Sequence, residues 1–479
     1  MKLKHISALL LCTAAVLACF GGCSHDTPPA ETGTGTAAVA SATAEAPVTR
    51  AEEEDDLPFD LNFNGEELTL LCWSEKSDRE WGLTDRGTDG SLQRALYEKT
   101  AKVETRLNVK VNAVTATGDW TGRKTFLAAV QADDNGPDLV LQNSAVVGTV
   151  AAQGCYADLN RAEHLNPEKP WWPGNQKSAL SIGGKLYAVL GDASVTIREE
   201  TQCILENADL LSETDAKSPD AAVGSGAWTA ELLLQILQEA ELPRNPDGTT
   251  AYKVTLSQDT ACDAMIYGGG YVFAENNNGT LSLSPALSAA DYAAWFSLWS
   301  DFTRRNDLKT LPPSGTDGFA SGNVLFHFCT LGDVRTYLPG TGFRISVLPY
   351  PKQTAEQTDY CTVCTANVTA FSISARAKNP ALAGAVLEAA GSYGYQVQSP
   401  AYLAALTANP RLDSAFNKGT FGLLHRTLAF DAVRMYAETT DCTSVFRRMT
   451  VTTGGWEPIY NNNHTYWEAM VGEIMQKLS

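Results

Sequence analysis

"SLQRALYEKTAKVETRLNVKVNAV", residues 91–114, joins a helix to a strand within two dozen residues, and that junction sets the fold class. Leu92, Leu96, Thr100, Val103 and Leu107 recur at helical spacing, so Ser91–Leu107 reads as an amphipathic helix, with "VKVNAV" at 109–114 as the strand behind it. Upstream, "EELTLLCW" (Glu66–Trp73) is an apolar run of strand length; downstream, "RKTFLAAVQA" (Arg123–Ala132) reads as a helix and "PDLVLQN" (Pro137–Asn143) as a third strand. Strands that alternate with helices imply a mostly parallel sheet covered by helices, an α/β class. Ligands of such sheets bind beyond the carboxyl ends of the strands, which here are Trp73 and Asn143.

The chain continues with "IGGKLYAV", which reads as a hairpin turned at Gly183 and Gly184, and "GDAS" then leaves the first sheet. "AWTAELLLQILQEAEL" is a long helix with Thr229 as its cap and Glu231 in its first turn. A second long helix, "ALSAADYAAWFSLWSDFTRRNDL", puts Trp295, Trp299 and Phe302 three and four residues apart, the spacing of a core face. "NVLFHFC" and "FRISVLPYP" supply further strands, and helices dominate from there to the end.

The amino terminus has a different character. Lys2 and Lys4 precede an apolar run from Ile6 to Phe20, long enough for a secretory signal and short for a bilayer span of ~20 residues. Two cysteines close it. Cys23, behind Gly21 and Gly22 and ahead of Ser24, is the expected lipidation site of a lipoprotein signal over residues 1–22; Cys19 is the alternative. Residues 23–57 are small, polar and finally acidic, too poor in large apolar side chains to offset the entropy of ordering, so a disordered acidic tether is expected. The formal charge of −19 argues against nucleic acid and against adhesion to anionic lipid. Cys361 and Cys364 form a C-x-x-C with no second copy to complete a zinc site, so no metal and no cofactor is expected.

The order of these segments resembles the extracellular solute-binding lipoproteins of ABC importers, in particular the carbohydrate-binding type common in gut Firmicutes. "DLNFNGEELTLLCW", "YEKTAKVETRLNVKVNAV", "PDLVLQNSAVVGTVAAQGCYADLN", "KPWWPGNQKSALSIGGKLYAVLGDAS", "FASGNVLFHFCTLGDVR", "FRISVLPYPK" and "VQSPAYLAALTANPRLDSAF" carry the likeness, which runs from about Asp60 to Ser479. One departure follows the first crossing, where "LENADLL" stands in place of the family's Asn-Lys-Asp-Leu-Leu. The resemblance implies a two-lobed periplasmic-binding-protein type II fold with a central cleft and hinge strands. Its amino-terminal lobe would comprise 58–190 and 317–398, and its carboxyl-terminal lobe 191–316 and 399–479. The crossings then fall near Gly191, Phe319 and Ser399.

A cleft protein of this kind holds its ligand without covalent chemistry: a solute that touches both lobes favours the closed form. For a sugar, aromatic rings meet C–H faces and polar groups pair with hydroxyls. Trp73 and Glu75 at the end of the first strand and Asn143 at the end of the third suit this, with a core position at the sheet edge as the alternative for Trp73. Asp192, at the first crossing, either accepts two hydroxyls or caps a turn. Tyr267 and Tyr271 flank three glycines in "YGGGYVF", a site or an ordinary turn. Trp456 in "TTGGWEPIY" matches the family's late cleft aromatic, whereas Trp171 and Trp172 read as packing residues.

Enzymatic readings lack support. The sequence has no HExxH, GxSxG or P-loop, and a glycosidase carboxylate pair has no spacing to recognise. The expected molecule is a monomeric, membrane-anchored binding protein on the extracytoplasmic face. It delivers a mono- or oligosaccharide to an ABC transporter permease; the alternatives are a surface glycan-capturing or adhesive lipoprotein without transport and, behind it, a glycoside hydrolase.

Overall fold

In the computed structural model, the described residues are 50, 53–81, 91–118, 122–132, 136–243, 251–256, 261–304, 308–310, 316–436, 442–450 and 454–478. Strand β1 (Glu66–Trp73) pairs in parallel with β2 (Val109–Ala116) and with β3 (Leu139–Asn143), as the alternation of elements requires. The connecting helix, Ser91–Leu107, buries Leu96, Val103 and Leu107 on one stripe. The chain then builds β4 (Gln202–Asn207), β5 (Tyr252–Leu256), the small hairpin β6 (Ala274–Asn277) and β7 (Thr280–Leu283), β8 (Leu308–Thr310), β9 (Val324–Thr330) and β10 (Ile345–Leu348). It returns as β11 (Thr369–Ile373), antiparallel to β3. Two main sheets result, with strand orders β11-β3-β1-β2 and β10-β4-β9-β5-β8.

The second sheet corrects one boundary. A return to the first lobe near Phe319 is expected from the sequence, yet β9 pairs with both β4 and β5, and β10 pairs with β4. The chain rejoins the first sheet only at Thr369. An apolar run such as "VLFHFCT", buried on both faces, reads as a strand in either half; only its pairing partners, more than a hundred residues away for β4, decide which. Val189 still bridges Phe371 of the first sheet, and Thr201, one residue before β4, bridges Cys364. Near the expected third crossing, the helix Pro380–Tyr393 passes through a π-helical turn into Ser399–Thr407, whose Tyr402 and Leu406 belong to the same buried cluster as Cys203 and Leu205 of β4.

Local expectations hold where local chemistry decides. Thr229 accepts from Leu232 N and caps the helix Ala230–Glu239. Trp295, Trp299 and Phe302 are buried, and so are Trp171 and Trp172. "IGGK" turns through one bridge, Ile182 to Lys185, with both glycines at positive φ. The tether behaves differently at its end. Residues 1–49, including the proposed anchor Cys23, lie outside the described residues. Glu53–Asp56, however, are held against the first half rather than free. Asp55 pairs with Arg106, Asp56 with Lys169, and the carbonyls of Glu53 and Glu54 accept from Gln396 and Lys169. An acidic run lacks apolar anchors, but cations displayed by the fold supply partners that composition does not reveal.

Glu388, on the helix Pro380–Tyr393, is 1% exposed and accepts from Asn166 N and Trp172 Nε1. Burial pushes its carboxyl from an ordinary 4.5 up to about 7 against those hydrogen bonds. A raised folded-state value means that its contribution to stability is intact below about pH 4.5 and is lost as pH rises through 7. Glu388→Gln should therefore gain on the parent protein between pH 5 and pH 8, by on the order of 2–3 kcal/mol in urea denaturation. A difference between the two proteins that does not change with pH would refute this.

Candidate ligand-binding site between the two sheets

The carboxyl ends of the parallel strands define one edge of the first sheet. Trp73 lies beside Ala116, Cys72 beside Leu141, and β11 begins at Thr369 opposite Asn143. Three of the expected site residues meet here. Trp73 is 1% exposed, and its Nε1 donates to Thr369 Oγ1 at 3.2 Å. Its Cβ lies so close to Gly118 that a methyl group there would come within 2.5 Å. The indole is thus packed into the sheet edge. Glu75 is exposed and accepts from Gly118 N at 3.1 Å. Asn143 accepts from Ala145 N at 2.9 Å, which caps the turn after β3, and donates to the exposed Asn367 at 3.1 Å.

Behind this edge lies a buried polar layer. Glu80 accepts from Ser194 Oγ and from the Thr369 hydroxyl, and burial pushes it up to about 7 against those two donors and Lys99. Lys99 donates to the carbonyls of Glu80 and Ala193, so the helix Ser91–Leu107 grips the first crossing from beneath.

Asp192 sits at the crossing and has no exposure. Its Oδ1 accepts from Arg198 Nη2 at 3.3 Å and from the Ser399 hydroxyl, while His425 and Arg50 approach Oδ2 at 3.6 and 3.9 Å. Burial alone would raise this carboxyl; Arg198, then His425 and Arg50, outweigh it and hold the group well below the usual carboxylate range. Burial and Arg198 push His425 down to about 4, with Asp192 opposing them. Gly394 allows the close approach of the third crossing, since a Cβ there would overlap the Asp192 carbonyl at 1.7 Å. The structure thus places Asp192 in an ion cluster between the first and third crossings.

Two glutamates in the next turn join the sheets. Glu200 pairs with Lys76, just past β1, at 2.7 Å and accepts from the Thr365 hydroxyl. Glu199 takes Arg79 from the first side at 3.2 Å and Arg335, just past β9, at 2.8 Å. On the second side, Tyr267 donates to Asp431 at 2.8 Å, and the Arg434 guanidinium lies 5.1 Å from the centre of its ring. Arg434 also donates to the Cys364 carbonyl at 2.8 Å and lies 3.7 Å from Asp263.

Between these groups is a cavity of about 40 Å³, whose walls include Ser144, Thr365, Phe430, Asp431, Arg434 and Met435. A larger cavity of about 310 Å³, walled in part by Val334, Pro339, Ala405 and Leu412, lies on the flank of the second sheet. We place the site at the smaller one, because the strand ends and crossing strands converge there and the flank groove has no such convergence. None of the seven expected site residues, Trp73, Glu75, Asn143, Asp192, Tyr267, Tyr271 and Trp456, is a wall residue of either cavity. Tyr271 donates to Gln353 at 2.9 Å and meets Tyr292 edge-on. Trp456, 2% exposed, donates to the Leu287 carbonyl and stacks on Trp467 at 5.8 Å. Phe430, Arg434 and Thr365 are the wall residues that sequence reasoning passes over. Their segments carry no motif; the bridges from Thr362 to Leu428 and from Thr201 to Cys364, with the bond from Arg434 to the Cys364 carbonyl, bring them together. Among the described residues no cluster of three metal-ligating side chains occurs. No described helix is long and apolar enough to cross a membrane.

A family model for bacterial extracellular solute-binding proteins matches residues 98–392. No curated protein matches the chain by sequence. Among solved structures, an ABC substrate-binding protein from Listeria monocytogenes in complex with cycloalternan aligns at a TM-score of 0.54 and 14% identity, over 85% of this chain and 99% of that one. A cyclo/maltodextrin-binding protein complexed with maltotetraose aligns at 0.55 and 15% identity, over 86% and 96%. The maltose-maltodextrin binding protein of Alicyclobacillus acidocaldarius aligns at 0.50 and 15% identity, over 86% and 99%. At such identities the likeness speaks for the fold, two α/β lobes with crossing strands between them.

Proposed function

Because the chain belongs to the bacterial extracellular solute-binding protein family, we propose that it captures a carbohydrate between its lobes and delivers it to an ABC transporter permease, without covalent change to the ligand. The observation that carries this reading is the seam where the strand ends of both sheets converge, with Phe430, Arg434, Ser144 and Thr365 among its walls. An aromatic face beside hydroxyl and guanidinium donors is what a sugar ring needs. The sugar-bound state of the similar structures points to the same class of ligand. In this proposal Asn143 and Glu75 present polar groups from the first lobe, Tyr267 orders Arg434 from the second, and Trp73 supports the sheet edge beneath them. Asp192, Tyr271 and Trp456 lie outside the seam and hold the fold around it. The proposed molecule is a monomer tethered to the membrane through Cys23.

A cavity of about 40 Å³ has room for a water molecule and little more, whereas small-molecule sites occupy ~300 Å³ or more. Ligand entry therefore requires the lobes to part, and the ion pairs from Lys76 and Arg79 to Glu200 and Glu199 are the contacts that opening must break or stretch.

The test is thermal unfolding of the full chain with maltotetraose, a cyclic oligosaccharide, single sugars and a short peptide. A ligand at 100 times its Kd adds ~2.7 kcal/mol of stability. An oligosaccharide should raise the melting point, and Arg434→Ala and Phe430→Ala should each weaken its binding at least tenfold, or ~1.4 kcal/mol. A shift with the peptide and none with any sugar would overturn the carbohydrate reading.

A further inference from the structure

Cys203 on β4 and Cys329 on β9 are register partners in an antiparallel pair, between Gln202 opposite Thr330 and Ile204 opposite Phe328. Directly opposed residues in such a pair have Cα atoms about 4.5 or 5.5 Å apart, inside the ~4.4–6.8 Å range that a disulfide spans. Opposed side chains also leave the same face of the sheet. Both thiols enter the same apolar layer, with Val195, Leu205 and Leu331, and are 0% and 2% exposed. They are unbridged in this structure.

Other described cysteines lack this geometry. Cys361 and Cys364 are three positions apart in a segment whose bridges at Thr362 and Cys364 mark it as extended, so their Cα atoms lie about 10 Å apart and their side chains leave opposite faces. Cys72 lies on β1 of the other sheet, and Cys155 and Cys262 face no cysteine across any strand pair.

We propose that Cys203 and Cys329 form a cross-strand disulfide when the chain folds outside the cytoplasm, a modification that staples two neighbouring interior strands of the second sheet. The family's extracellular setting is where such bonds persist. The oxidant is a disulfide, either that of an exported thiol oxidant or a small-molecule disulfide. One cysteine thiolate attacks a sulfur of that disulfide to give a mixed disulfide and one released thiol. The second thiolate then attacks the mixed disulfide, closes the Cys203–Cys329 bond and releases the second thiol; the two protons given up by the cysteines end on the two thiols. Burial first, and the Cys203 thiol beside it, push the Cys329 thiol well above its ordinary value, so thiolate is scarce once the sheet has closed. The exchange therefore belongs to the folding chain, ahead of the packing of Val195 and Leu331 over the pair.

The experiment unfolds the full chain in guanidinium chloride, refolds it with oxidised and reduced glutathione, blocks remaining thiols with a maleimide and maps the digest by mass spectrometry. The expected result is one linked pair of peptides containing Cys203 and Cys329, ~2 Da below the sum of the two thiol forms. Dithiothreitol should then lower the melting temperature of the oxidised protein, and it should leave the Cys203→Ala/Cys329→Ala double variant unaffected. Recovery of both residues as blocked thiols, or a bond from either one to a different cysteine, would overturn the proposal. The mapping is done on the parent protein, so a variant that folds poorly leaves it intact.

Discussion

Asp192→Ala should cost about 3–5 kcal/mol of folding stability, because it leaves Arg198 inside the protein without its counter-ion. Arg198 is 2% exposed, and burial already lowers its affinity for its proton, with Asp192 the main opposing influence. The Ser399 hydroxyl, which now bonds both side chains, would be left to the guanidinium alone. Urea denaturation of the parent and the variant measures the loss directly. A second variant separates the cause: Asp192→Leu combined with Arg198→Met removes both charges and should recover most of the stability, since an apolar pair of similar volume is tolerated where half an ion pair is not. A single-variant cost below about 1 kcal/mol would show that water reaches this cluster and the pair is screened.

Trp456→Ala should also cost about 3–5 kcal/mol, and it should leave ligand affinity in the folded fraction unchanged. The indole is surrounded by Tyr292, Phe296, Tyr460 and Trp467, and its N–H is satisfied by the Leu287 carbonyl. Removing it opens a cavity that four rigid rings cannot readily collapse into. From sequence, the same residue reads as a cleft aromatic, for which the opposite result is expected: binding lost and stability kept. A denaturant melt and a ligand titration on one sample of the variant distinguish the two. Retained stability with lost binding would put Trp456 back in the site.

These two residues show how far one chain can be read unaided. β1 and the helix Ser91–Leu107 have the boundaries that sequence periodicity assigns, because an apolar run of strand length and a 3.6-residue stripe are local signals. Strand ends at Trp73 and Asn143 were legible as well, given that a parallel sheet presents its carboxyl edge to a ligand. Pairing was not. Nothing within "NVLFHFC" says that it will lie between β4 and β5, and so the return to the first lobe was placed some fifty residues too early, near 319 rather than 369. The seam suffered in the same way. Glu200 meets Lys76 across 124 positions and Thr365 across 165, and Arg434 reaches the Cys364 carbonyl across 70. An aromatic after paired glycines attracts notice in a sequence; an arginine or phenylalanine inside an unremarkable helix and turn does not, although the fold gives the second pair the more open position.

The Arg50 guanidinium lies 4.0 Å from the centre of the Tyr395 ring while also facing Asp192. Together with Asp55 on Arg106 and Asp56 on Lys169, it fastens this stretch of chain at three separate points, so a pull that reaches residue 50 is shared among them rather than borne by a single contact.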